Sequence, residues 1–269
     1  MTDPPRLLLL GGTTEATRLA AALARRDDVV VVTSLAGRTA SPGPLPSAHL
    51  PSAHLPPAPP AHRTGGFGGT DGLAAYLRAE RISALVDATH PFAARMRWHA
   101  YDACNQVGVP RLRLERPPWR AQAGDRWTIV ATVAAAAAQI AGGPSERVFV
   151  TTGRKELAAF APASDGRRQW LIRSLDPPQH LPVQPAVAIL DRGPFSVEGE
   201  TTLLARHRID LVVTKNSGGD ATAAKLEAAR NLGVAVLVVD RPPSPEGPST
   251  NTVADAVEWV NGSLGLSGG

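Results

Sequence analysis

The feature that most constrains this chain is a recurrence of short, uninterrupted apolar runs separated by helix-length amphipathic stretches. Leu7–Leu10, Val29–Thr33, Ala84–Asp87 and Val109–Leu114 read as strands, with helices predicted over Thr14–Arg25, over Asp71–Glu80 and from the segment ATHPFAARM to about Val107. After Gln122–Arg126 the pattern restarts. Thr128–Val130, Val148–Val150, Trp170–Ser174, Val187–Leu190, Leu211–Val213 and Val234–Val239 read as strands. Helices are expected over Val133–Ile140, up to His207, up to Asn231 and over Val253–Val260. Strands that are apolar without alternation are buried on both faces, as in a parallel sheet between two helical layers.

The expected fold class is therefore α/β: two Rossmann-like domains with parallel sheets and an interdomain cleft, divided as 1–121 and 122–269. Residues 41–62 interrupt the first domain. They are proline-rich and contain the direct repeat PSAHLPSAHLPP. Prolines remove backbone donors and the segment cannot build a core, so it is expected to be a mobile surface insertion without a role. His49 and His54 belong to the duplication rather than to a metal site, and none is expected elsewhere. The single cysteine, Cys104, excludes disulfides and cysteine metal clusters and reads as a small buried residue.

No apolar run approaches the roughly 20 residues that cross a bilayer, and MTDPPR lacks the charged-then-apolar form of a leader. A cytoplasmic protein without membrane contact is expected. The net charge is +4, and all but three of the 28 basic residues are arginine. Acidic groups are interspersed with them and no aromatic–basic stripe appears, so nucleic acid is not an expected partner. Where lysine is rare its positions stand out: Lys155 and Lys215 each follow an apolar strand, and Lys225 lies in a helix.

In parallel α/β sheets ligands collect outside the carboxyl ends of the strands. The unusual residues lie in those loops: GGTTEA, SLAGR, ATHPFA, TTGRKE, DRGPFS and TKNSGG. Gly11 and Gly12 would let backbone N–H groups approach a phosphate, Thr13 and Thr14 add hydroxyls, and the following helix start adds its positive dipole end. The motif is neither GxGxxG nor a Walker loop, and a plain tight turn capped by threonine fits it as well. The second strand ends in Ser34, with Arg38 beyond it and no acid. Such an end accommodates a ribose 2′-phosphate and favours NADPH over NADH. GGFGG, from Gly65 to Gly69, either wraps a flat ligand or is a hinge. His90, held extended before Pro91, is a candidate ligand contact. Arg154, Lys155 and Lys215 form a cationic wall suited to carboxylates or phosphates. Asp220 is the expected N-cap of the helix that follows TKNSGG.

No tyrosine lies four residues before a lysine, and no nucleophile elbow, HExxH helix or cysteine nucleophile is present. Hydride transfer by a bound coenzyme fits best. Two rivals stay open: a two-domain nucleotide-sugar transferase or epimerase, and a non-catalytic dinucleotide-sensing module.

GGTTEA, SLAGR, GGFGG, DATHPFA, ERPPW, TTGRKEL, GPF and TKNSGG, in this order, resemble the precorrin-6A reductases of cobalamin synthesis. The resemblance spans nearly the whole chain; the repeat in 41–62 departs from it. It implies NADPH-dependent reduction of a corrin-precursor double bond, with hydride delivered to a ring carbon and a proton to its neighbour. The substrate would be a polycarboxylate tetrapyrrole, with a lean towards the metal-free form. Transient contact with other corrin-pathway enzymes is implied as well. By the same resemblance the cofactor falls on Gly11, Gly12, Thr13, Thr14, Glu15, Ser34, Arg38, Gly66, Phe67, Thr89, His90, Pro91 and Phe92. The substrate falls on Arg95, Arg116, Trp119, Arg154, Lys155, Lys215 and Ser217, with Lys215 as the candidate proton donor.

Overall fold

Leu7, Leu8, Leu9 and Leu10 are all at most 2% exposed, and the reason is their place in the sheet. They form strand β1 (Arg6–Leu10), which hydrogen-bonds to a parallel neighbour on each side and is covered by helices on both faces. Leu7 and Leu9 point into one apolar cluster and Leu8 and Leu10 into another. The computed structural model describes residues 3–35, 61–178 and 180–266. Arg38 and almost all of the 41–62 insertion lie outside them.

After β1 the first domain continues through α1 (Thr14–Leu23), β2 (Val30–Leu35), β3 (Ala61–Thr64), α2 (Gly69–Ala79), β4 (Ile82–Asp87), α3 (Ala94–Val107) and β5 (Arg111–Leu114). Ala61 and His62, assigned from sequence to the insertion, belong to β3. Its residues AHRT carry no apolar run because β3 is an edge strand that pairs only with β2.

The second domain runs through β6 (Trp127–Val130), α4 (Val133–Gly142), β7 (Arg147–Val150), β8 (Gln169–Ser174), β9 (Ala186–Leu190), α5 (Val197–Arg206), β10 (Leu211–Lys215), α6 (Ala224–Asn231) and β11 (Ala235–Val239). Its sheet is wholly parallel, in the order β6-β11-β10-β7-β8-β9. Phe149, Leu171, Val212, Val236 and Val238 pack on one face with Leu204, Leu226 and Ala229 of the helices. Between β7 and β8 a 3-10 segment, Arg154–Ala163, contacts α4 and buries Leu157 and Phe160.

The chain then returns to the first domain. β12 (Ser249–Thr250) pairs with β5, and α7 (Val253–Leu264) buries Ala256 and Val260 against Leu7, Leu9 and Val86. The two compact units are thus Met1–Arg116 with Pro243–Gly269, and Pro117–Pro242. A single cut near residue 121 is the expectation from sequence; the closing helix belongs instead to the first unit, because α7 packs beside α1 over β4 and β5 of the first sheet. A buried polar knot fixes the return: Arg97, 1% exposed on α3, donates to both the Ser244 hydroxyl and the Glu115 carboxylate.

With β12 included, the first sheet reads β3-β2-β1-β4-β5-β12, the 3-2-1-4-5-6 order of dinucleotide-binding folds. The second sheet repeats it from β7 onward, as β9-β8-β7-β10-β11, with β6 filling the sixth place. Each sheet therefore has one point where the strand order reverses: β1/β4 in the first, β7/β10 in the second.

Candidate functional site

At a reversal point the two neighbouring strands send their connections to opposite sides, and a crevice opens between their carboxyl ends. In the first domain this crevice lies between the turns Gly11–Thr13 and Ala88–His90. The Gly11 N–H donates to the Ser34 carbonyl at 2.9 Å, and a Cβ on Gly11 would lie 3.1 Å from Leu35 Cδ2. Gly12 has φ +122°, with nothing within 4 Å of where a Cβ would be. The backbone there is bent as only glycine adopts readily, and it faces open space.

Thr13 is the N-cap of α1. Its Oγ1 accepts the Ala16 N–H at 3.2 Å and donates to the Ala88 carbonyl at 2.8 Å. Its hydroxyl therefore ties the crevice walls together rather than standing ready as a ligand donor; Thr14, the next residue, is exposed at the helix start. Glu15 faces Arg116 at 3.4 Å, which places a candidate cofactor residue beside a candidate substrate residue. Ser34 is 5% exposed, and its carbonyl closes the turn from below.

On the opposite wall His90 Nδ1 accepts the Phe92 N–H at 3.2 Å, with the two rings 5.9 Å apart, and Pro91 is buried. Thr89 is shaped by a residue that motif reading passed over. Asp87, 1% exposed and in register with Leu10, accepts from the Thr89 N–H at 3.0 Å and from its hydroxyl at 2.7 Å through Oδ1. The signal was present in DAT: an acid two residues before a threonine at a strand exit forms such a turn. Gly66 and Phe67 lie in the loop after β3, where the Arg63 guanidinium holds both: it donates to the Gly66 carbonyl and lies 3.7 Å above the Phe67 ring. That leaves the loop anchored rather than hinge-like. Arg95 stands exposed in the first turn of α3.

In the second domain the crevice is formed by the exits of β7 and β10. The Thr151 hydroxyl donates to the Val213 carbonyl at 3.0 Å, and Gly153 then leads into the 3-10 segment. Each cation of the expected wall has its own setting. Lys215, the last residue of β10, has Nζ 2.6 Å from Glu156 Oε1. Arg154 lies 3.6 Å from Asp176, and Lys155 is exposed. Ser217 donates its N–H to the Lys215 carbonyl at 2.7 Å.

Asn216, 6% exposed, is another residue not foreseen. Its Oδ1 accepts the Trp119 N–H at 2.8 Å and its Nδ2 donates to the Trp119 carbonyl at 3.2 Å. The Trp119 indole N–H donates to the Gly219 carbonyl at 3.0 Å, and Lys225 Nζ lies 4.7 Å from the ring centroid. Trp119 thus anchors the loop that follows Lys215 and carries Ser217. Asp220 does not cap α6, contrary to expectation. It opens a short 3-10 turn, Asp220–Thr222, and α6 starts after Ala223 with no side-chain cap. No group of metal-binding side chains occurs among the described residues.

With this geometry in view, the comparisons with known proteins point one way. Residues 6–261 match the family model described as Precorrin-6x reductase CbiJ/CobK. The chain belongs to the precorrin-6x reductase family. It is 46% identical over 233 residues to a precorrin-6A reductase of Rhodococcus erythropolis, covering 85% of this chain and 86% of the relative. It is 46% identical over 232 residues to one of Rhodobacter capsulatus, with 85% of each covered. A cobalt-precorrin-6A reductase of Priestia megaterium is 30% identical over 191 residues, covering 68% of this chain and 74% of that one. The solved structure of a CobK precorrin-6A reductase superposes with a TM-score of 0.82 at 43% identity, covering 98% of both chains. The described helices include none long and apolar enough to cross a membrane.

Proposed function

We propose that this member of the precorrin-6x reductase family reduces one double bond of precorrin-6A to give precorrin-6B, with NADPH as reductant. The observation that carries the cofactor reading is the Gly11–Gly12 turn. It lies at the reversal point of a 3-2-1-4-5-6 sheet, leaves open space above Gly12, and is followed at once by the start of α1.

The residues present fit a dinucleotide. Gly12 offers backbone that a side chain would cover, and the first N–H groups of α1 and the Thr14 hydroxyl supply donors for a pyrophosphate. Ser34, without a carboxylate, leaves room for a 2′-phosphate. Thr89 and His90 form the other wall, held by Asp87 and by the His90–Phe92 contact. Bound there, the reduced nicotinamide supplies a hydride to a ring carbon of the substrate.

The second domain deals with the acid side chains and the proton. Arg154 and Lys155 are the cations that would meet carboxylates of a tetrapyrrole. Lys215 carries a proton at Nζ, and Glu156 fixes the direction of that ammonium. Transfer of this proton to the carbon next to the one that takes hydride completes the reduction, and solvent restores it. The greater identity to precorrin-6A reductases than to cobalt-precorrin-6A reductases supports the metal-free macrocycle as substrate.

Fluorescence titration with NADPH and NADH, followed by addition of precorrin-6A, tests the whole reading. NADPH binding with oxidation only when the macrocycle is present supports it. Binding without oxidation would indicate a sensing module, and a preference for nucleotide sugars a transferase.

A further inference from the structure

The proposed function leaves one conspicuous cation of the first domain without a task. Arg63 is the third residue of β3 and lies in register with Ser34 at the carboxyl end of β2. That end is where the adenosine ribose falls in folds of this order. Its guanidinium donates to the Gly65 carbonyl at 2.7 Å and to the Gly66 carbonyl. One face is stacked 3.7 Å from the Phe67 centroid, and Phe67 in turn meets Tyr76 edge-on at 5.2 Å.

Two consequences follow from these contacts. The group is immobilised, because the carbonyls hold one edge and the ring holds one face. Its charge is also uncompensated: among the described residues no carboxylate lies within ion-pair distance of Arg63, and its hydrogen-bonding partners are neutral carbonyls. A guanidinium has five N–H donors, and the two bonds to the glycines leave others on a side chain that is only partly buried. A fixed, partly exposed, unneutralised arginine beside a strand end that lacks an acid is a receptor for a phosphate dianion.

We infer that Arg63 determines coenzyme choice by binding the ribose 2′-phosphate of NADPH. The inference rests on the reading of the first domain as the NADPH site. Arg38 is the candidate for this contact from sequence alone; Arg63 is a second one, identified by its position and by the neutrality of its partners.

The test measures binding of NADPH, NADH, adenosine 2′,5′-bisphosphate and ADP to the full chain and to its Arg63→Gln, Arg63→Lys and Arg38→Ala variants. Loss of a charge-assisted pair to phosphate corresponds to roughly tenfold to hundredfold in affinity. Arg63→Gln is expected to weaken NADPH and the 2′,5′-bisphosphate by that factor while changing NADH and ADP less than twofold. Arg63→Lys keeps the charge and should recover part of the loss. An equal loss for all four probes in both variants would make Arg63 a strut of the GGFGG loop and overturn the inference. So would unchanged NADPH affinity in Arg63→Gln with loss confined to Arg38→Ala. If the unaltered chain binds none of the four, the NADPH reading itself fails, and this inference with it.

Discussion

The hydroxyl of Thr13 bridges the two walls of the first crevice, donating at 2.8 Å to the Ala88 carbonyl while accepting the N–H of Ala16. One side chain thereby sets both the start of α1 and its distance from the turn that carries Thr89 and His90. Thr13→Val keeps the shape and removes both bonds. A lost N-cap costs about 1 kcal/mol and a lost buried hydrogen bond about the same. Thermal unfolding of Thr13→Val should therefore shift down by several degrees, with NADPH bound more weakly, and Thr13→Ser should restore both.

Gly12 separates folding from binding. A side chain there meets nothing within 4 Å, so the cost to the fold is the unfavourable positive φ alone, about 1 kcal/mol. Gly12→Ala should stay folded, with a small fall in melting temperature, yet lose NADPH affinity by about tenfold or more, because its methyl group would stand where the proposed site receives the pyrophosphate. Calorimetric titration measures this directly.

Lys215 and Glu156 lie in the second domain, so changes there should leave coenzyme binding intact. Lys215→Met is expected to lower kcat by about a hundredfold, the usual scale of a lost general acid, with NADPH affinity unchanged. Glu156→Gln removes the carboxylate 2.6 Å from Nζ and should lower kcat less than Lys215→Met does. Steady-state kinetics at saturating NADPH distinguishes the two.

Burial pushes the Cys104 thiol up to about 12. At pH 8 the native protein should resist iodoacetamide and react only on unfolding. The unfolded thiol ionises near its ordinary value of 9.0 while the folded one keeps its proton. This contribution to stability is complete below pH 9 and is lost as pH rises towards 12, with a slope of at most about 1.4 kcal/mol per unit. Melting curves between pH 8 and 10.5 should fall more steeply for the unaltered chain than for Cys104→Ala.

The central strands were legible in the sequence because burial on both faces forces continuous apolar runs, as in LLLL and VVVVT. The edge strands of the first sheet were not, whereas β6 and β9 at the edges of the second were read as Thr128–Val130 and Val187–Leu190. AHRT and the two-residue Ser249–Thr250 carry little apolar content because an edge needs none, so β3 merged with the insertion and β12 went unseen. The domain boundary failed for a related reason. Nothing local in Val253–Val260 says which sheet its apolar face will cover, and only packing of Ala256 and Val260 against Leu7 and Leu9 decides it. The candidate loops stand out through glycines and lysines, and DAT carried the signal for Asp87, whereas Arg63 and Asn216 act through bonds to backbone that no motif displays. Asp220 looked like a cap because its residue type favours that role; the chain instead makes a 3-10 turn first.

The most direct measurement is an anaerobic assay of the purified chain with precorrin-6A and NADPH, following coenzyme absorbance and the macrocycle spectrum together. The expected result is oxidation of NADPH in equal amount to macrocycle reduced, abolished when either is left out and much slower with NADH. A chain that binds NADPH at the Gly11–Thr14 turn but leaves precorrin-6A unreduced would contradict the account.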